Sequence, residues 1–396
     1  MAQTVMTSEV VGATVDETGI LAGRVLVSPR AHARIARIDA RRAKALPGVV
    51  AVLISDDVLD TDPYHGLFIE DRPLMAIDRV RFAGEPVAAV AAEDPVIAAH
   101  ALTLIDVTYE NRPAVSTLDV ALADDAPRLH VTELLQAGIL HGPMEWTSHP
   151  GNVCWRQSAA SGDVAATFAG ADLIVDGNYQ IARGGPSPVA SPPIAAHWAD
   201  DALTVWTVAA EPFLLRAKLA RIFGLTLEQV RTAATPGREP GINDDGLTVA
   251  PLAAALARKA KRPVRLEATR DDGPRSGAWP GAWVWMRTAA TAGGRLLARE
   301  VRLDLDVGAF AGDHPLRIES EPVLGPYRWQ AVSFDARSVY TNTPPRTATS
   351  PLLAAIGEMQ VDEIARRLGR DALDIRAQNL LGAINSSPTA TSVRRS

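Results

Sequence analysis

The sequence predicts an α+β fold, and three observations predict it. Short apolar runs of strand length recur along the chain, and several helical stretches carry their own start and stop residues. No long segment keeps a single period throughout. The chain has 396 residues, 47% of them apolar and 22% charged, an ordinary globular composition with room for two or three domains.

The elements follow in order. Residues 1–18 are expected to be an extension, and 19–118 a first α+β domain. Within it, Val49–Leu53 is an apolar run after the turn at Pro47-Gly48, and Val87–Val90 is another after Gly84-Glu85-Pro86. Asp94-Pro95 opens a helix, with an acceptor side chain at the cap and a proline where no N–H is needed. That helix carries Val96, Ile97 and Ala101 and hands over to Leu104–Tyr109, where apolar and polar residues alternate. Residues 119–160 hold breakers and no sustained period, and are expected to connect two domains.

A second α+β domain is expected over 161–382. Leu203–Trp206 reads as a strand, and Pro212 opens a helix stopped at Gly224. Thr226 and Gln229 form a capping-box pattern. Leu252–Ala260 reads as helix; Pro263–Leu266, Trp283–Met286 and Leu303–Val307 read as strands. Met359–Leu368 is a helix closed by Gly369, and Asp371 caps a last one through Leu380. The Ser/Thr-rich tail 383–396 is expected to be disordered.

Composition also excludes classes of function. With 40 Lys+Arg against 46 Asp+Glu, a net charge of −6 gives no broad attraction to phosphate backbones, so no nucleic acid is expected. Cys154 is the single cysteine, which closes no intrachain disulfide and ligates no cluster alone; it reads as an inert packed thiol. No run approaches about 18 apolar residues, so no membrane span is expected. The first residues lack a basic and apolar leader, which makes the cytoplasm the expected compartment. The eight histidines show no HExxH pattern, and no dinucleotide, P-loop or hydrolase-elbow motif occurs.

A resemblance extends over nearly all of residues 19–382. SPRAHARI (28–35), ALPGVVAVL (45–53), DRPLMAIDRVRFAGEPVAAVAAED (71–94) and ALTLIDVTYE (101–110) look like the hammerhead domain that opens one family of large subunits. GDVAATFAGADLIVDGNY (162–179), LTVWTVAAEPFLLRAKLARIFGL (203–225), LAAALARKAKRPVRLEATR (252–270), VYTNTPP (339–345) and EMQVDEIARRLGRDALDIRAQNLL (358–381) resemble its first cofactor-binding domain. The family is that of the molybdenum-binding large subunits of xanthine dehydrogenase and aldehyde oxidase. The resemblance implies a hammerhead-type domain followed by a larger α+β domain. It also implies hydroxylation of an aldehyde or heteroaromatic carbon with water, on molybdenum carried by a pterin and linked to iron–sulfur and flavin partners. The pterin is implied to rest on glycine-rich backbone, where amide N–H groups approach closely because no Cβ intervenes.

Departures from the family fall on its cofactor loops. Its run of glycines around a phenylalanine reads TPGREPGINDDG (235–246) here, with Arg238, Glu239 and Pro240 inside. The loop that holds a glutamate near the metal reads SPVASPP (187–193), with Ala190 at that place. The glutamine after the LTVW strand is replaced by Ala209 or Ala210, and the arginine–glycine turn after VYTNTPP reads RTATSP (346–351), leaving Arg346. The chain also ends where the family's second cofactor domain would begin.

These substitutions bring in candidate site residues. For catalysis they are Glu211, Glu239, Asp313 and His314; for substrate binding they are Arg238, Asp244, Asp245, Arg346 and Glu358. Each has a plainer reading. Glu211 precedes a helix N-terminus, where an acid is favourable by itself. Arg238, Glu239, Asp244 and Asp245 suit a solvated loop with local ion pairs, and an adjacent Asp and His usually diverge. Trp198, Trp206, Trp279, Trp283 and Trp285 read first as packing and second as a ligand cage.

The first expectation is therefore a homologue with no cofactor. It would bind a small organic substrate in the vacated groove and perform non-redox acid–base chemistry of isomerase, lyase or cyclase type. The alternatives are a split or truncated subunit of a heteromeric molybdenum hydroxylase, its cofactor shared with a partner subunit, and a non-catalytic relative. A homo-oligomer is possible on either reading.

Overall fold

The computed structural model describes residues 19–58, 61–62, 64–66, 69–130, 136–137, 151–184, 193–207, 212–234, 245–266, 280–311, 321–345 and 352–381. The first part runs through strands β1 (Leu21–Val27), β2 (Ala33–Asp39), β3 (Val49–Ile54) and β4 (Pro86–Ala92), helix α1 (Pro95–Thr103) and strand β5 (Asp106–Asn111). There follow β6 (Val153–Ser161), β7 (Leu173–Ile181), β8 (Ile194–Ala199), β9 (Ala202–Thr207), α2 (Pro212–Phe223) and β10 (Val230–Ala234). The rest comprises α3 (Asp245–Ala260), β11 (Val264–Leu266), β12 (Ala282–Ala290), β13 (Leu296–Gly308), β14 (Ala331–Tyr340), α4 (Leu352–Leu368) and α5 (Ala372–Asn379). The α+β class is as expected.

Helix ends follow their local chemistry. Asp94 accepts from the Val96 N–H at 2.7 Å ahead of Pro95, and Asp371 accepts from the Leu373 N–H at 2.7 Å. The Thr226 N–H donates to Gln229 Oε1 at 2.9 Å, the reciprocal half of a capping box. After α2 the Leu225 N–H reaches back to the Ala220 carbonyl, and after α4 the Arg370 N–H reaches back to Ala365.

Two sheets organise the described chain. The larger has seven strands in the order β10-β9-β8-β11-β1-β4-β3, and the second has five in the order β6-β14-β13-β12-β7. The boundary expected between 119 and 160 divides the sequence but not the larger sheet. β1 pairs parallel with β11, Gly23 opposite Leu266, so strands from both expected domains are neighbours. A Cβ on Gly23 would lie 2.9 Å from Val264 Cγ1, so the close approach of these strands requires glycine. α3 covers the seam, packing on β3, β4, β8, β9 and β11. Ala250, Leu252, Ala253, Ala254, Leu256 and Ala257 are all buried within it, as in a helix enclosed on every side.

The expected connecting segment needs a correction. Residues Val153–Ser161 form β6, antiparallel to β14 at the edge of the five-stranded sheet. Its outward residues are Arg156, Ser158 and Ala160, while Cys154 is buried. Small and polar residues make a weak strand signal on an edge that packs only one face. Cys154 is buried as expected, its thiol donating to the Ser338 carbonyl at 3.3 Å, and burial raises its pKa well above the ordinary value.

α4 is longer than the expected helix, beginning at Leu352 rather than Met359. Gly357 weakens the helical signal, yet a Cβ there would meet the Val323 carbonyl at 2.6 Å. That crossing is held by Arg299, which is fully buried. Its guanidinium donates to the carbonyls of Val323 at 2.7 Å and Gly357 at 3.0 Å and to Thr288 Oγ1 at 3.0 Å. Burial lowers its pKa to about 10, so it stays charged, stacked 4.7 Å from the centre of the Trp329 ring.

A protease site inserted between residues 141 and 145, followed by cleavage, should leave two fragments that co-elute without denaturant. Separation of the fragments on size exclusion would show that the β1–β11 seam does not hold the halves together.

Candidate functional site at the strand ends

The two sheets end where most of the sequence-predicted site residues attach. In the larger sheet Thr207 is the register partner of Ala234, and Ile194 that of Leu266, so these four chain positions share one edge. Segments 208–211 and 235–244 leave from the first pair. In the smaller sheet Gly308 is opposite Tyr340, Leu305 opposite Ala282, and Ala282 opposite Ile181, again at one edge. Segments 312–320 and 346–351 continue from that edge. Residues 185–192 and 267–279 connect the two edges, and eight residues between Gly184 and Pro193 reach at most about 30 Å. The two edges therefore lie within about 30 Å of each other.

Most candidate side chains lie outside the described residues: Glu211, Arg238, Glu239, Asp244, Asp313, His314 and Arg346, with Asp245 described in backbone only. Glu358 is described. Tyr327 Oη donates to it at 2.8 Å and Arg376 Nε at 2.7 Å, so its carboxylate ties α4 to α5 and to the 325–327 turn. The tryptophans divide. Trp198 packs on Phe223 at 5.3 Å between ring centres, and Trp206 is buried, as the packing reading expects. Trp283 and Trp285 instead face outward on β12. There they line an open groove of about 800 Å³ with Arg302, Asp304 and Arg337. Alternation along β12 forces this, because Ala282, Val284 and Met286 take the inward positions.

A polar framework that sequence reading missed holds the strand ends in place. Asp306 accepts from the Gly308 N–H at 3.0 Å and from Thr341 Oγ1 at 2.6 Å, joining the ends of β13 and β14. Asn342 accepts from the Val115 N–H at 2.8 Å and donates to the Arg81 carbonyl at 2.8 Å. Asp71, buried, accepts from the Ala311 N–H at 2.7 Å and from Tyr340 Oη at 2.8 Å. His130 Nε2 donates to the Ala309 carbonyl at 2.7 Å, with its ring beside Phe310 and Tyr340. Phe82 meets Phe310 edge-on at 6.1 Å. Residues of the first unit thus position Ala309–Ala311, the last described residues before 312–320. The signal was present in DRPL (71–74) and VYTNTPP (339–345), whose polar residues are buried ties rather than loop surface.

Two buried groups here have shifted titrations. Burial, partly opposed by Arg81, raises Glu85 to about 7; one of its oxygens accepts from the Arg81 N–H and the other, Oε1, has no partner. Burial, helped by the charge of Arg81, lowers His130 to about 3, so the ring is neutral and Nε2 carries the proton it donates.

Residues 146–380 match the family model of the molybdopterin cofactor-binding domain, and 15–113 that of the aldehyde oxidase and xanthine dehydrogenase a/b hammerhead domain. The chain belongs to the xanthine dehydrogenase and aldehyde oxidase family of molybdopterin-binding large subunits. It is 31% identical over 370 residues to a probable xanthine dehydrogenase subunit of Bacillus subtilis, covering 91% of this chain and 47% of that protein. It is 30% identical over 358 residues to the nicotinate dehydrogenase large molybdopterin subunit of Eubacterium barkeri, covering 88% of this chain and 79% of that one. Quinoline 2-oxidoreductase from Pseudomonas putida 86 superposes with a TM-score of 0.76 and 28% identity, over 93% of this chain and 47% of that chain. Aldehyde oxidoreductase from Desulfovibrio gigas shares the fold, with a TM-score of 0.79 at 23% identity, over 94% and 41%. Apart from the nicotinate dehydrogenase subunit, the chain spans about half the length of these relatives.

The family match overturns the expectation that the chain has no cofactor. That expectation rested on side chains in 187–193 and 235–246, whereas the match rests on the whole framework of 146–380. The described residues fit a bound group on one observation. Trp206, next to Thr207 at the loop edge, is buried with its indole N–H unpartnered, a donor that an acceptor-rich ligand would satisfy. Among the described residues no helix is long and apolar enough to cross a membrane.

Two pH effects follow. Glu85 has a folded pKa above its unfolded value, so its contribution favours folding below about 4.5 and is lost as pH rises through about 7. Glu85→Gln should therefore raise the melting temperature at pH 8, by up to about 3 kcal/mol in stability, and change little at pH 4. An equal shift at both pH values would reject the ionisation account. His130 has a depressed folded pKa, so stability falls as pH drops from about 6.5 toward 3. His130→Gln, which keeps a donor for Ala309, should flatten that acid limb in denaturant titrations between pH 7 and 4.

Proposed function

We infer that the chain is one half of a split molybdopterin-binding large subunit, completed in trans by a polypeptide carrying the other half, within a heteromeric molybdenum hydroxylase. One observation carries this reading. The Eubacterium barkeri relative is itself named a large molybdopterin subunit, and this chain covers 79% of it, against 47% of the Bacillus subtilis relative. A protein of nearly this extent thus serves as a subunit on its own. The substrate class is a small organic molecule with an oxidisable carbon, an aldehyde or a heteroaromatic ring.

When bound, the molybdenum cofactor supplies the redox centre at which a C–H carbon gains oxygen from water. This chain's residues bind and orient. Trp206 offers its indole N–H to an acceptor on the cofactor. Asp306, Asp71 and Asn342 fix the strand ends from which the loops depart. Glu211, Glu239, Asp313 and His314 stand on segments joined to those ends and are assigned proton transfer to and from substrate. Arg238, Asp244, Asp245 and Arg346 are assigned its polar contacts. Glu358 supports the α4–α5 pair. The loop substitutions tune substrate choice in place of the non-redox chemistry expected first, for which no relative gives support.

Co-expression with a polypeptide matching the relatives' second half, in a host that makes the cofactor, should yield a stable pair. Plasma mass spectrometry should find about one molybdenum per pair. A chain that neither pairs with such a polypeptide nor acquires molybdenum beside it would reject the split-subunit reading.

A further inference from the structure

α4 and α5 form an antiparallel hairpin turned at Gly369. Arg376 fixes its packing, with Nε 2.7 Å from Glu358 and Nη1 2.7 Å from Asp362. That double ion pair sets the Leu373–Arg376 turn of α5 beside the Met359–Asp362 turn of α4. Leu380 is bridged to Tyr327, whose hydroxyl donates to Glu358, so the end of α5 also returns to the level of Met359. The inner face of α4 is spent on the sheet through buried Leu353, Ile356, Val361 and Ile364.

The outer face is apolar and uncovered. Leu352 and Met359, two turns apart on α4, are 40% and 55% exposed; Leu373 on α5 and Leu380, just past its end, are 72% and 43% exposed. α4 thus turns two large apolar side chains to solvent at i and i+7, and α5 adds Leu373 on the turn that Arg376 sets beside Met359–Asp362. Asp362, Arg366 and Arg367 are exposed on α4, so the face mixes these apolar residues with charges.

The longer relatives identify the occupant. The cofactor-domain match ends at residue 380, at the end of this hairpin, and the Bacillus subtilis relative is about twice the length that this chain covers. We propose that the outer face of the α4–α5 hairpin, centred on Met359 and Leu373, is the docking surface for the polypeptide that supplies the second half in trans. This deepens the split-subunit reading and rests on it.

The test uses the full chain with the co-expressed second-half polypeptide described above. Dissociation constants are measured for the wild type, for Met359→Glu with Leu373→Glu, for Leu373→Ser, and for Val96→Glu. Val96 is a control of equal exposure on α1. The double variant should bind at least tenfold more weakly and Leu373→Ser measurably so. Val96→Glu should bind as wild type, and every variant should melt within a few degrees of it. Unchanged affinity in the hairpin variants, with the pair still forming, would overturn the docking surface and leave the split-subunit reading standing. Failure of the wild type to pair at all would overturn both. A homodimer of the chain alone that the hairpin variants disperse would assign the face to a second copy and overturn the inference.

Discussion

The parallel pairing of β1 with β11 is the constraint on which the rest depends. β11 has only three residues, and it meets β1 across some 240 positions of sequence. A glycine at 23 lets the backbones approach, and α3 seals the seam with a buried aliphatic face. Without that pairing the first unit would be an independent domain beside the second. With it, Asp71 and Arg81 of the first unit lie within hydrogen-bond reach of the strand ends at Ala311, Tyr340 and Asn342.

Short polar ties fasten the strand ends to the first unit. Asp71 reaches Ala311 and Tyr340, Asn342 reaches Val115 and Arg81, and His130 reaches Ala309. Each buried acceptor is worth little net when satisfied and costs much more when orphaned, so such ties specify one arrangement more than they add stability. Glu85 is a buried carboxylate whose Oε1 has no hydrogen-bond partner, and burial raises its pKa to about 7.

On the five-stranded sheet the same economy yields an outward face of paired charges. Arg337 binds Asp304, Arg156 binds Asp335, and Arg302 lies 4.6 Å over the Trp285 ring. Those charges are already satisfied, which suits water. The α4–α5 hairpin carries large apolar residues on its outer face instead, and that contrast separates a solvated face from an unfinished one.

The sequence by itself determined the class, the helix caps at Asp94 and Asp371, the capping box at Thr226, the strands of apolar or alternating pattern, and the family. These depend on residues within a few positions of each other, or on motifs read in order. Tertiary structure alone decided that β6 is a strand, because a small, polar edge strand is recognised only by its neighbour β14. It alone decided that α4 runs through Gly357, because the reason for that glycine is a carbonyl 34 residues earlier. It alone turned Trp283 and Trp285 outward and assigned Glu358 to an ion pair between helices. The candidate residues at 211, 238–239, 313–314 and 346 were legible only as departures from a family pattern. The register of Thr207 with Ala234 sets where segments 208–211 and 235–244 leave the larger sheet, and that of Gly308 with Tyr340 sets where 312–320 and 346–351 leave the smaller one, a property of strand pairing that no local stretch of sequence contains.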